Sequence, residues 1–225
     1  TAKKHNLYVL YDAAHTFGER YKGKSVADFG DMSVFSFHAT KVFHSIEGGA
    51  VCIGKKNPEL MHKLYALKNF GIMGQESVEL VGCNGKMNEF SASMGLCNLR
   101  HIGEYIKERE KRYRHYESLL KDVPGLIFPK EQEGVEKNYA YLPVRILGEG
   151  RRNQIFSLLE KEGIHPRKYF YPLISEYDCY KGKFSGDGTP IAKKIAEEIL
   201  TLPIYPDLDF SDIERISVIL QKECS

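Results

Sequence analysis

A lysine within an apolar stretch is the residue of this sequence best suited to covalent chemistry. Lys41 lies in the segment Ser33–Ala50 (SVFSFHATKVFHSIEGGA), ahead of the pair Gly48 and Gly49. Burial disfavours the charged form of an amine and lowers its pKa toward neutrality. A neutral amine can attack an aldehyde and form a Schiff base, which makes lysine a covalent catalyst. Taken alone, however, a lysine in a loop is most often a solvated surface residue.

Two polar residues near the ends of predicted strands favour the catalytic interpretation of Lys41. Asp12 follows the apolar run Leu7–Tyr11, and Ser36 comes five residues before Lys41. Ligands of open α/β sheets gather at the carboxyl ends of strands. An amine, a carboxylate and a phosphate donor are the groups that an aldehyde cofactor with a pyridinium nitrogen and a phosphate requires. Without Lys41, Asp12 would be interpreted as the cap of a strand end.

The elements that would position these residues form the first half of the chain. The pattern predicts a buried parallel strand at Leu7–Tyr11 and further strands at Met32–Phe37 and Gly49–Ile53. Helices are predicted from Pro58 to Asn69 and from a cap at Asn88 towards Arg100. The glycine-rich residues 70–86 between these helices are predicted to form one long irregular loop.

A smaller α+β unit is predicted after a charged connecting helix over Ile102–Leu120. The best boundary lies near residue 122, which divides the chain into a large domain at 1–122 and a small domain at 123–225. The predicted elements of the small domain are strands at 139–146 and 164–171, helices at 154–161 and 191–200, and a final helix that starts at a capping box at 211–214.

Composition excludes several classes of function. The chain has 225 residues, of which 42% are hydrophobic and 28% charged, with a formal net charge of only +2. This balance is typical of a globular protein and predicts no electrostatic attraction to nucleic acid or to a membrane. No apolar run approaches the roughly 18 residues of a membrane span. Five dispersed cysteines predict neither a disulfide scaffold nor a metal site, and they favour a reducing cytoplasm.

Three segments, taken in order, resemble a known enzyme family. They are Tyr11–Gly18 (YDAAHTFG), Gly30–Val51 (GDMSVFSFHATKVFHSIEGGAV) and Gly82–Leu96 (GCNGKMNEFSASMGL). Together they resemble the pyridoxal-phosphate (PLP)-dependent sugar aminotransferases of the DegT family, and the likeness continues weakly at 166–173 and 202–206. The resemblance implies the aspartate aminotransferase fold (fold type I), with a mostly parallel sheet in the large domain. It also implies a homodimer with active sites at the interface, and a segment before Thr1 that is missing here.

The resemblance implies a role for five residues. Lys41 would hold PLP covalently and move protons between the substrate carbon and the cofactor, which becomes pyridoxamine phosphate as an intermediate. Asp12 would pair with the pyridine nitrogen, His15 would lie against the cofactor ring, and Ser36 would bind the cofactor phosphate. Asn84 would reach the phosphate of the partner subunit's cofactor.

Substrate contacts are predicted at Tyr169 and Tyr171, within a segment similar to a family R-x-Y-x-x-P-L-H pattern. Ile174 stands at the position of the family's histidine, so the sugar or nucleotide contact there differs from the family's. Packing is an equally good interpretation of both tyrosines.

The leading hypothesis is transfer of an amino group, by family analogy from glutamate, to a nucleotide-linked keto-sugar. The residues around Lys41 most resemble members that aminate a dTDP-4-keto-6-deoxyhexose at carbon four, a step in amino-sugar or surface-polysaccharide biosynthesis. A sugar dehydratase of the same fold is the first alternative, although those relatives carry histidine where this chain has Lys41. The second alternative is a catalytically incomplete structural fragment, in which Leu7–Tyr11 would have exposed edges and apolar faces.

Overall fold

The computed structural model describes residues 1–54, 57–180, 182–183 and 188–224. Its helices are α1 Ala2–His5, α2 Pro58–Lys68, α3 Glu89–Leu99, α4 Ile102–Leu120, α5 Arg151–Lys161, α6 Pro190–Glu198 and α7 Phe210–Cys224. Its strands are β1 Leu10–Asp12, β2 Arg20–Tyr21, β3 Lys24–Ser25, β4 Met32–Ser36, β5 Gly49–Ile53, β6 Ile72–Gly74, β7 Ser77–Val78, β8 Leu126–Ile127, β9 Val135–Glu136, β10 Leu142–Ile146 and β11 Ile199–Leu202.

The contacts within the chain divide it into two compact units. The first comprises Thr1–Glu104 and Glu133–Asn138, and the second comprises Tyr105–Gln132 and Tyr139–Ser225. Most of α4 thus packs with the second unit, whereas the sequence placed this helix in the first domain. The domain boundary near residue 122 stays a prediction.

The main sheet of the first unit has the strand order β1-β4-β5. The pairing of β1 with β4 is parallel, with Asp12 opposite Val34. The pairing of β4 with β5 is antiparallel, with Ser36 opposite Gly49. Two smaller sheets complete the unit, β3-β2-β9 and the hairpin β6-β7.

Asparagine caps start the two helices that flank the glycine-rich segment. The Asn57 side chain accepts a hydrogen bond from Leu60 N–H at 3.0 Å, and Pro58 occupies the first turn of α2. The Asn88 side chain accepts from Ser91 N–H at 2.8 Å, which satisfies one of the backbone donors that the start of α3 leaves unpaired. The predicted cap at Asn88 is therefore confirmed.

The core of the second unit is the sheet β11-β10-β8 packed against helices. Leu142, Val144 and Ile146 alternate along β10 and are fully buried, as a strand with one covered face requires. Tyr116 and Leu120 of α4 are also fully buried and belong to the same cluster. Residues of α5 and α7 complete this cluster: Ile155, Leu159, Ile213, Ile216, Leu220 and Cys224.

Three predicted elements differ from the structure. The predicted strand at 164–171 is absent, and only Arg167 forms an isolated bridge, to Thr201. The strand beside β10 is instead β11, which begins at Ile199, where a helix end was predicted. Residues 70–86 contain the hairpin β6-β7. All three differences depend on which strands pair with one another, and the pattern of a single sequence does not show this pairing.

The first strand is shorter and more exposed than predicted. β1 covers Leu10–Asp12 and, among the strands of the described residues, pairs with β4 alone at the edge of its sheet. Leu7 and Leu10 remain 61% and 59% exposed, and Tyr8 is 88% exposed. The described residues therefore cover these side chains only in part, and the predicted burial of the strand is not observed.

Burial along α7 predicts a matched pair of substitutions with different costs. Ile213 is fully buried in the second unit's core, whereas Val218 on the same helix is 60% exposed. Ile213→Ala should lower the free energy of unfolding by about 2–5 kcal/mol, because it removes buried methyl groups and leaves a cavity. Val218→Ala should change it by less than about 0.5 kcal/mol. Urea denaturation followed by circular dichroism measures both values, and equal costs would contradict the described packing.

Candidate active site

The parallel pairing of β1 and β4 places two predicted site residues at one edge of the sheet. Asp12 is the last residue of β1, and Ser36 is the last residue of β4, two residues beyond the partner of Asp12. The chain between β4 and its antiparallel partner β5 carries Lys41. The amine, the carboxylate and the hydroxyl thus all belong to segments that leave the same sheet edge.

Lys41 lies next to His15 in the structure. Its backbone N–H donates to the His38 carbonyl at 2.9 Å, in a tight turn after β4. The side chain is partly buried, and Nζ lies 3.3 Å from His15 Nε2. His15 was predicted to lie against the cofactor ring; the structure brings it into contact with the Lys41 amine, and its role at the ring stays a prediction.

Burial and the neighbouring amine lower the pKa of His15. Burial is the larger cause, the positive charge of Lys41 adds to it, and the negative charge of Asp12 opposes both. His15 is therefore neutral around pH 7, and its Nε2 can accept a hydrogen bond from the Lys41 ammonium group.

The Asp12 carboxylate is held from one side only. Its Oδ1 accepts a hydrogen bond from Ala14 N–H at 3.1 Å, and Ala13 between them is buried. Among the described residues, no hydrogen-bond partner is found for Oδ2. Ser36 Oγ accepts from His38 N–H at 3.4 Å, which leaves its own hydrogen free to donate.

The loop after Lys41 is tied back to β4 by its backbone. Phe37 N–H donates to Gly48 O at 2.8 Å, and Ser45 N–H donates to Phe37 O at 2.9 Å. Ser45 is buried, and its hydroxyl donates to Glu47 O at 2.9 Å. Gly48 has φ of 154°, and a Cβ there would lie 2.5 Å from Ser45 Oγ. Glycine is thus needed at this position for close packing.

Four phenylalanines form a cluster that joins the His15 segment to the Lys41 segment. Phe17 stacks on Phe43 with a ring-centroid distance of 4.2 Å, and Phe37 meets Phe43 edge-on at 4.8 Å. Phe17 also lies 6.3 Å from Phe35 and 5.8 Å from Phe37. Sequence reasoning missed this cluster, although three of its members lie within eight residues of Lys41.

Helix α3 supports the same loop through Asn98. Its Nδ2 donates to the His44 carbonyl at 2.9 Å, across 54 residues of chain. Gly95, one turn earlier, packs against this loop, since a Cβ there would lie 3.4 Å from Ser45 Cβ. Nothing in the local sequence around Asn98 indicated this contact.

Asn84 belongs to the glycine-rich segment between α2 and α3. It forms an isolated antiparallel bridge with Asn69, at the end of α2, and its side chain is exposed. Across the part of the chain that the structure describes, no hydrogen bond joins Asn84 to Asp12, Ser36 or Lys41. Its role at a partner subunit's cofactor stays a prediction.

Tyr169 and Tyr171 belong to the second unit. Arg167 donates from Nη1 to the Tyr169 hydroxyl, and the Tyr169 ring stacks on Phe170 at 4.8 Å. Arg152 is buried, and its guanidinium carbon lies 4.6 Å from the centre of the Tyr171 ring. Substrate binding by either tyrosine stays a prediction, and packing remains equally compatible with these contacts.

The described residues contain no grouped metal ligands and no membrane-spanning helix. No three histidine, cysteine, aspartate or glutamate side chains within 1–54, 57–180, 182–183 and 188–224 are grouped as metal ligands. None of the helices formed by those residues is both long and apolar enough to cross a membrane.

A match to one family of proteins places the chain among aminotransferases. Residues 1–221 match the DegT/DnrJ/EryC1/StrS aminotransferase family, so the chain belongs to that family. The family predicted from the three motifs is therefore confirmed.

Individual relatives agree with this assignment. The chain is 37% identical over 227 residues to dTDP-4-amino-4,6-dideoxy-D-glucose transaminase of Escherichia coli, covering 97% of this chain and 60% of that protein. A crystal structure of DesI, analysed in the presence of its TDP-sugar product, superposes with a TM-score of 0.89 at 32% identity, covering 98% of this chain and 56% of that one.

A third relative is the putative sugar aminotransferase Spr1654 of Streptococcus pneumoniae, solved in its PLP form. It superposes with a TM-score of 0.87 at 27% identity, covering all of this chain and 60% of that one. These likenesses confirm the predicted fold class, α/β of fold type I. The chain spans 56–60% of the length of these proteins.

The contact between His15 and Lys41 predicts how His15 titrates. We expect an NMR titration to place its pKa below the ordinary value of roughly 6.5. Lys41→Gln should raise this pKa, because it removes one of the two causes that lower it. Lys63→Gln, at an exposed lysine on α2, should leave it unchanged.

The same shift has a consequence for stability. A histidine whose pKa is lowered by folding takes up its proton more readily in the unfolded chain, so its contribution to stability falls as the pH falls below roughly 6.5. A His15 pKa at or above the ordinary value, or one unaffected by Lys41→Gln, would contradict the described geometry.

Proposed function

We propose that the full-length protein is a PLP-dependent aminotransferase that delivers an amino group to a nucleotide-linked keto-sugar. The observation that carries the proposal is the partly buried Lys41 amine, which lies 3.3 Å from His15. Its segment leaves the sheet at the edge where β1 ends with Asp12 and β4 ends with Ser36. Membership of the aminotransferase family supports it.

The residues at this edge fit PLP group by group. The Asp12 oxygen that is not bonded to Ala14 N–H can accept a hydrogen bond from a pyridinium nitrogen. Ser36 has a hydroxyl hydrogen to donate to a phosphate oxygen, since its contact with His38 uses Oγ as acceptor. Lys41 supplies the amine that an aldehyde needs. The site therefore offers a suitable group for the ring nitrogen, the phosphate and the aldehyde.

Each of these side chains then has a defined task. When bound, PLP supplies an electron sink that stabilises negative charge on the substrate carbon. Asp12 keeps the ring nitrogen protonated through its opposite charge. Lys41 holds and moves a proton at Nζ, and neutral His15 beside it allows that proton to be shared without a second positive charge. The stacked Phe17 and Phe43 keep the two segments together, so the amine returns to the same place in each cycle.

Lysine at position 41 also separates amination from dehydration. Dehydratases of this fold carry histidine at this position, and histidine cannot form the covalent bond to PLP. A dehydratase must keep its cofactor from returning to a lysine, whereas an aminotransferase needs an amine to hold the cofactor, and Lys41 would supply that amine. The amine of Lys41 therefore favours amination.

The proposed acceptor is a dTDP-4-keto-6-deoxyhexose aminated at carbon four, with glutamate as the donor. The name of the E. coli relative at 37% identity supports the nucleotide, the sugar class and the carbon. The product would enter amino-sugar or surface-polysaccharide biosynthesis. The cytoplasm is the proposed location, since the five cysteines Cys52, Cys83, Cys97, Cys179 and Cys224 are free thiols.

A homodimer with shared active sites is part of the proposal. The support for it from this chain is that the Asn84 side chain is exposed, while its backbone is bridged to Asn69 at the end of α2. An exposed amide at that place can donate to a cofactor phosphate from across an interface.

The covalent role of Lys41 has a direct chemical test. Full-length protein incubated with PLP and then with borohydride should carry one reduced cofactor, which peptide mass spectrometry places on Lys41. Lys41→Ala should lose this label and at least about a thousandfold in glutamate-dependent amination of the keto-sugar nucleotide. Lys63→Ala, at an exposed lysine of α2, should retain both. A folded wild-type protein that binds no reducible PLP, or a label at another lysine, would overturn the proposed function.

Mixing of inactive subunits tests the shared site. If Asn84 serves its partner's cofactor, an equal mixture of Lys41→Ala and Asn84→Ala subunits should regain about a quarter of wild-type activity after subunit exchange. About half of the dimers are then mixed, and one of the two sites in each mixed dimer is intact. Each variant alone should remain nearly inactive. Activity of the mixture that stays at the average of the two variants would place Asn84 at its own subunit's site, or at none.

A further inference from the structure

A segment far along the chain packs against the loop that carries His15. Residues 133–138, here called the return segment, belong to the first unit although the residues on both sides of them belong to the second. Within it, β9 pairs antiparallel with β2, placing Glu136 opposite Arg20 and Val135 opposite Tyr21. Lys22 N–H donates to Gly134 O at 2.6 Å. The return segment is thus the outer strand of the sheet β3-β2-β9.

Asn138, at the end of the return segment, makes the most specific of these contacts. It is only 1% exposed, and its Nδ2 donates to His15 O at 2.7 Å and to Phe17 O at 3.0 Å. Its backbone N–H donates to Glu19 Oε1 at 3.4 Å. A side-chain amide has two N–H hydrogens, and both are used on carbonyls two residues apart. Asn138 therefore fixes the course of the backbone from His15 to Phe17.

The two residues that Asn138 holds are those that meet the Lys41 segment. His15 Nε2 lies 3.3 Å from Lys41 Nζ, and the Phe17 ring stacks on Phe43, two residues after Lys41. If the amide were lost, the carbonyls of two partly buried residues would lose a donor, and the loop would be free to move towards solvent. A displacement of about 1 Å near reacting groups can cost about a hundredfold in rate.

We propose that Asn138 is a positioning residue for the amino-transfer reaction, which holds the loop of His15 against Lys41 through its two amide hydrogens. The inference rests on the proposed function for its kinetic consequence. Its structural consequence, the placement of His15 beside Lys41, does not require a cofactor and can be measured in the protein without PLP.

The pKa of His15 is the quantity that can be measured without the cofactor. Burial lowers the pKa of His15 most, the charge of Lys41 lowers it further, and the charge of Asp12 opposes both. When Asn138→Ala releases the loop, His15 becomes more solvated and lies farther from the amine. Its pKa should therefore rise towards the ordinary histidine value in an NMR titration of full-length protein without PLP.

Kinetics of the PLP-loaded enzyme provide the second measurement. Asn138→Ala should lower kcat about ten- to a hundredfold, with the KM for the sugar nucleotide changed by less than about threefold. Asn138→Ser keeps one hydroxyl donor for one of the two carbonyls. Its kcat and its His15 pKa should therefore lie between those of Asn138→Ala and wild type. Glu136→Ala is the matched control, because this exposed side chain lies on the same strand and its backbone pairing remains.

The outcomes separate the positioning role of Asn138 from the proposed aminotransferase function. If His15 titrates as in wild type in both Asn138 variants, or if kcat falls only in proportion to the unfolded fraction seen by circular dichroism, Asn138 has a structural role alone and the inference is wrong. Should Asn138→Ala fail to fold, Asn138→Ser is judged by the same criteria. Wild-type protein that attaches no PLP to Lys41 would overturn the proposed function, whereas the titration of His15 would still decide whether Asn138 holds the loop.

Discussion

The parallel pairing of β1 with β4 is the constraint on which the site depends. Parallel strands end at the same edge of a sheet, so the register that sets Asp12 opposite Val34 also brings Ser36 to that edge. The antiparallel return of β5 then determines where the Lys41 loop must begin and end. A shift of one residue in the β1–β4 register would turn Asp12 to the opposite face of the sheet.

Local signals explain which elements could be predicted from the sequence. The strand Gly49–Ile53 and the helix Ile102–Leu120 have the predicted bounds, and Asn88 caps α3, because turn residues, charge periodicity and capping chemistry are encoded within a few neighbouring positions. β11 was missed since its strand form depends on pairing with β10, more than fifty residues earlier. The exposure of β1 depends on which residues cover it, and periodicity alone does not contain that information.

The chemical residues of the site were easier to predict than the residues that hold them. Lys41, Asp12 and Ser36 were found because their side chains suit one type of cofactor and they follow apolar runs. Asn98 and Asn138 were not predicted, because each donates a hydrogen bond to a backbone carbonyl 54 or more residues away. The residues next to an asparagine in the sequence do not indicate such a contact. Contacts of this kind become visible only when the fold has brought the segments together.

Electron density at Lys41 in a crystal structure of the full-length protein grown with PLP would test the central claim most directly. We expect continuous density from Lys41 Nζ to the aldehyde carbon of the cofactor, the ring nitrogen within hydrogen-bond distance of Asp12, and the phosphate within reach of Ser36. PLP bound elsewhere, or PLP at this sheet edge with no bond to Lys41 and with Asp12 turned away from the ring, would contradict the account.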